Sequence, residues 1–105
     1  MADKSIAMLG CFDTKGEDFT YLLKSLRALG QQVITINTGV MGTSVGFPID
    51  VDQEEVAKAS GEVLETIRAS NDRGRAVELM GKGAAAILAE LASKDRIKGV
   101  IGMGG

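Results

Sequence analysis

Asp13, Thr14, Lys15 and Gly16 are the residues of this chain whose types and order could do chemistry. A carboxylate, a hydroxyl, an ammonium and an unobstructed backbone in succession suit an anion and its counter-cation. Lys15 would supply positive charge, Asp13 could hold Mg2+ through its carboxylate, and Gly16 would let a ligand come close to the main chain. Thr14 precedes Glu17 by three residues, the spacing of a capping box, which satisfies two orphan amides of a helix start and leaves others open to an anion such as phosphate. A plain helix start has the same pattern, with Thr14 and Glu17 as caps and Asp13 and Lys15 solvated. The order Lys15-Gly16 excludes a Walker A loop, and the lack of a second glycine two residues after Gly10 excludes the dinucleotide fingerprint.

Three further groups invite the same question. Gly102, Gly104 and Gly105 end a short apolar run, where turn amides can form an anion nest. Asn37 and Thr38 fall where dinucleotide sites often place an acidic ribose ligand, with an amide in its stead. Arg73, Arg75 and Lys82 gather near a segment containing Gly81 and Gly83, and two glycines inside a helix call for close packing against the sheet or a second subunit. The arginines suit a bidentate contact to phosphate or carboxylate, or simply a solvated face. Cys11, beside the first loop, reads as a small buried residue rather than a reactive thiol.

Composition narrows the chemistry. The 105 residues include one cysteine and no histidine, which excludes an internal disulfide, an all-protein Cys/His zinc site and histidine acid/base catalysis. A single cysteine fits a reducing cytoplasm. Twelve basic and fourteen acidic residues, interspersed, leave a net charge of -2, so neither nucleic acid nor an anionic membrane is an expected partner. The first ten residues hold no apolar stretch long enough for a signal-peptide core or a membrane span.

The elements that must position these groups follow from periodicity. Ser5 to Leu9 is an apolar run expected as a strand buried on both faces. Phe19, Leu22, Leu23, Leu26 and Leu29 recur at helical spacing, with Gly30 as the C-terminal cap. A β-branched strand over 32–37 completes a strand-helix-strand unit, with parallel strands and a right-handed crossover. Residues 38–51 keep no period and read as a long loop, of the kind that is often functional. Asp52 and Glu55 fit a capping box for a helix carrying Val56, Ala59, Val63 and Ile67, which Gly61 would split. Asn71 or Asp72 caps a further helix whose Val77, Met80, Ala84, Ile87, Leu88 and Leu91 face one way, and Lys98 to Gly102 forms the third strand. The pattern is a three-layer α/β parallel open sheet, with the first loop, 37–42 and 102–105 meeting at its carboxyl edge.

Taken together, LGCFDTKGEDFTYL, INTGVMG, DRGRAVELMGKGAAAIL and KGVIGMGG resemble the N-terminal part of the Tm-one-like ATP-binding proteins, a family of bacteria and plants. The resemblance runs from Ser5 to Gly105. It implies a Rossmann-like subdomain over 1–105, the N-terminal part of a larger domain, interrupted within a glycine-rich loop at 102–105. It further implies ATP as ligand, a role for Mg2+, and self-association into dimers. Asp13, Thr14, Lys15 and Gly16 match the family's DTKG, and Gly102, Gly104 and Gly105 match the start of its glycine loop. Asn37 departs from the acidic residue of that strand end, against a ribose contact there. The functional expectation is a nucleotide-binding module. The alternatives are an ATP- and metal-dependent transferase or hydrolase, with Asp13 on the metal and Lys15 steadying charge, or an oligomerisation domain built on the Gly81/Gly83 helix.

Overall fold

The computed structural model describes residues 4–13, 15–42 and 45–102. Its elements run β1 (Ser5–Gly10), α1 (Gly16–Ala28), β2 (Val33–Asn37), α2 (Gln53–Ala59), α3 (Leu64–Ala69), α4 (Arg73–Ser93) and β3 (Ile97–Gly102). The strands form one parallel sheet in the order β2-β1-β3. β1 is central, so successive residues bury opposite faces: Ala7 enters a core with α2, α3 and α4, while Met8 enters a second core with Phe19 and Leu23 of α1. The chain steps from β1 to β2 over one face and returns past β1 to β3 over the other. A single hand of crossover requires that arrangement. The architecture is the expected three-layer α/β sheet.

Local chemistry accounts for most boundaries. Gly30 takes a positive φ of 78° after α1, which a glycine accepts without strain. Asp52 caps α2 by accepting from the Gln53 N–H at 2.7 Å, and Asp72 caps α4 by accepting from the Arg75 N–H at 3.0 Å. Gly61, at φ 93°, divides α2 from α3. Val56 and Ile67 are buried, whereas Ala59, at the end of α2, and Val63, past the break, are exposed, contrary to one continuous stripe. Leu29 likewise leaves the predicted face of α1 and is exposed. The start of α1 differs as well: its N-cap is Lys15, one residue later than a capping box from Thr14 would place it, and among the described residues no side chain caps it.

The long loop is more structured than its lack of period implies. Phe47 is buried against Phe12, ring centroids 5.3 Å apart. Val51 bridges to Ile36, and the Asn37 N–H donates to the Val51 carbonyl at 2.9 Å. Thr35 anchors the same stretch: its N–H donates to Asp50 Oδ2 at 2.8 Å, and its hydroxyl donates to the Pro48 carbonyl at 2.9 Å and accepts from the Asp50 N–H at 2.8 Å. Residues 48–51 thereby cover the outer edge of β2. Among the described residues, no helix is long and apolar enough to cross a membrane.

Candidate functional site

The carboxyl ends of the strands do come together, but the polar and the open parts of that edge lie on different sides. On the β2 side the residues are tightly bonded. Asn37 is fully buried. Its Oδ1 accepts from the N–H groups of Phe12 at 3.3 Å and Gly39 at 3.0 Å, and its Nδ2 donates to Asp52 Oδ1 at 3.1 Å. One amide thus ties the loop after β1, the loop after β2 and the cap of α2. An acidic residue would lose the donor that meets Asp52, which explains why an amide stands at this strand end.

Asp13 belongs to the same side. Its Oδ2 accepts from the Met41 N–H at 2.9 Å, and its other oxygen is buried without a hydrogen-bond partner among the described residues. The carboxylate lies so close to Gly39 that any side chain there would collide with it. Gln53, itself buried, donates from Nε2 to the Met41 carbonyl at 2.6 Å, while Arg68 donates from Nε to the Val40 carbonyl and from a terminal nitrogen to Gln53 Oε1 at 3.3 Å. Sequence alone assigned no role to Gln53 or Arg68. Both act on main-chain carbonyls across the fold, and no local motif marks that.

On the β3 side lies a groove of about 390 Å3 between the strand ends and α4. Leu9, Gly10 and Cys11 from the end of β1, Thr38 after β2 and Gly102 of β3 form its floor, and Val77, Met80, Gly81 and Ala84 contribute to its α4 wall. Cys11 is half-buried there, its Sγ 4.0 Å from Thr38 Oγ1. The two helix glycines divide by role. A methyl group on Gly83 would collide with the Val56 carbonyl, so close packing of α4 against α2 explains that glycine, within one chain and on the helix layer rather than the sheet. Gly81 meets nothing and borders the groove.

Of the predicted ligand residues, Gly102 lines the groove, whereas Asp13 is turned toward the loop after β2. Lys15 and Gly16 open α1, where the Lys15 N–H donates to the Cys11 carbonyl at 3.0 Å. Thr14, Gly104 and Gly105 lie outside the described residues. Arg73, Arg75 and Lys82 are exposed, and none lines the groove; Arg75 comes within 4.0 Å of Glu62. Among the described residues, no cluster of three or more His, Cys, Asp or Glu side chains could hold a metal by protein ligands alone.

With this arrangement fixed, comparison with known proteins gives the lineage. Residues 4–105 match the model of the uncharacterised protein family UPF0261, N-terminal domain. The chain belongs to the UPF0261 family. It is 39% identical to a UPF0261 protein of Clostridium tetani over 98% of its own length and 25% of that protein. A UPF0261 protein of Rhizobium meliloti is 33% identical over 97% of the chain and 24% of its own length. The chain therefore spans about a quarter of the length of these curated relatives. No solved structure matched it significantly. UPF0261 members thus share with this chain the segment that builds both sides of the carboxyl edge.

Proposed function

We propose that this UPF0261 domain is a nucleotide-binding module of Tm-one-like type, working in the cytoplasm, with ATP as ligand. Its phosphates are held by the loop after β1, through Thr14, Lys15 and Gly16 with Asp13 acting by way of Mg2+, and by the glycine turn of Gly102, Gly104 and Gly105. The observation that carries the reading is the groove at the reversal of strand order. In a β2-β1-β3 sheet the chain leaves β1 toward one face and returns to β3 from the other, and ligands of open α/β sheets collect in the crevice between those two strand ends. Gly10, Cys11 and Gly102 border that crevice.

The chemistry on either side is complementary. Among the described residues no side chain caps α1, and the positive end of this 13-residue helix, with its first-turn amides, favours an anion. The apolar wall of Val77, Met80 and Ala84, with Gly81 bare between them, suits a flat ring. Asp13 fits a cation held chiefly by phosphate oxygens and water with a single protein carboxylate, as Mg2+ is commonly held, and its buried Oδ1, which has no partner among the described residues, is the atom that favours this. It does not fit an all-protein metal cage. Magnesium, when bound, would offset phosphate charge.

Equilibrium binding of ATP with Mg2+ to a full-length family protein carrying this segment tests the reading. A micromolar complex weakened at least about tenfold by Lys15→Ala is expected, a loss of roughly 1.4 kcal/mol. Absence of binding below millimolar ATP, or binding indifferent to Lys15→Ala, overturns it.

A further inference from the structure

The sheet has two outer edges, and among the described residues only one is covered. Beyond β2, residues 48–51 satisfy the outward main-chain groups, with the Val51 N–H donating to the Thr35 carbonyl and the Asn37 N–H to the Val51 carbonyl, both at 2.9 Å. Beyond β3, no strand or loop among the described residues pairs with the edge. The first half of β3 has the features that keep an edge solitary in water, a lysine at 98 and a register irregularity opposite Ser5/Ile6. Its second half, Gly99 to Gly102, has neither. Val100 pairs in register with the fully buried Ala7, and so belongs to the α4 face of the sheet, yet it is 55% exposed.

We propose that in a full-length UPF0261 protein this second half of β3 is paired with a parallel strand drawn from the roughly three quarters of the chain that the matched segment leaves uncovered. The sheet then continues past β3, and Val100 becomes a buried residue of one shared core rather than the surface of a separate unit. An unprotected apolar edge recruits any available strand, and a strand from the same chain has the highest effective concentration. Parallel addition follows the rest of the sheet, in which every pairing is parallel and both faces are covered by helices. A second copy related by a two-fold axis would instead add its β3 antiparallel.

Amide hydrogen exchange on a full-length family protein carrying this segment tests the proposal. The outward amides between Gly99 and Gly102 are expected to exchange within about tenfold of those of Ala7 to Leu9 in the central strand. Exchange about 100-fold or more faster than the central strand overturns it. Protection that disappears when the protein is diluted from dimer to monomer also overturns it, since a second copy then covers the edge. Nuclear Overhauser contacts from Val100 to a strand running antiparallel would do the same.

Discussion

The two sides of the carboxyl edge solve opposite problems. On the β2 side, Asn37, Asp13, Asp52, Gln53 and Arg68 lock loops to one another through directed hydrogen bonds. On the β3 side, α4 stands off from the strand ends and leaves a groove walled mainly by carbon. Polar side chains near a strand end are therefore poor markers of a ligand cavity in this fold. Here most of them define the wall, and small and apolar residues define the space.

The largest effect expected from breaking this contrast comes from Gly83→Ala. Its methyl group would overlap the Val56 carbonyl oxygen, a main-chain atom that moves only if α2 moves. Overpacking of a buried contact costs about 1–3 kcal/mol, and this one should reach at least the top of that range. Urea unfolding checks it: a midpoint near that of the parent chain would mean that α4 and α2 are not packed this closely.

Asn37→Ala comes next. It leaves the Phe12 and Gly39 N–H groups buried without their acceptor and removes the donor to Asp52. At about 1–3 kcal/mol for each unsatisfied buried group, a loss of roughly 2–4 kcal/mol is expected. Amide exchange at Phe12 and Gly39 should accelerate together. Acceleration at only one of them would show that Asn37 does not join the two loops.

These cases indicate what could be read before the structure. The stripes of α1 and α4 were legible because helical periodicity is local, and the Asp52 and Asp72 caps and the turn at Gly30 depend on residues within a few positions. Asn37 and Asp13 were visible as polar residues at strand ends, but their bonds reach across 25 and 28 residues. No spacing rule distinguishes such a residue from a ligand contact. The meeting of the loop after β1 with the end of β3 was legible from topology alone, whereas the groove's α4 wall was not. Val77 belongs to the predicted apolar stripe, yet it is 66% exposed because α4 covers the sheet unevenly.

Gly81→Ala separates the two helix glycines and has the opposite sign to Gly83→Ala. Nothing stands where its methyl group would go, and alanine is favoured over glycine inside a helix by roughly 1 kcal/mol. Stability should rise by up to that amount, while a ligand ring seated against α4 would lose some contact. A destabilised Gly81→Ala variant would mean that the groove is filled by protein, contradicting the open side of the comparison.

The smallest effect tests whether burial, rather than polarity, gives the β2 side its strength. Glu90 and Lys94 form an i,i+4 pair at 2.8 Å on the solvated surface of α4, and the hydrogen bond from Lys94, then its charge, hold the Glu90 carboxyl below its ordinary value of 4.5. A group whose folded value is depressed contributes stability above its unfolded pKa, and loses that contribution as pH falls through the folded value. Glu90→Gln should therefore match the parent at acid pH and fall only slightly below it near neutrality, because water and salt screen an exposed pair. Urea midpoints at both pH values, with and without added salt, check this. A difference at neutral pH as large as that of Asn37→Ala would show that an exposed contact can hold this fold as firmly as a buried one, and the contrast between the two sides would then need a cause other than burial.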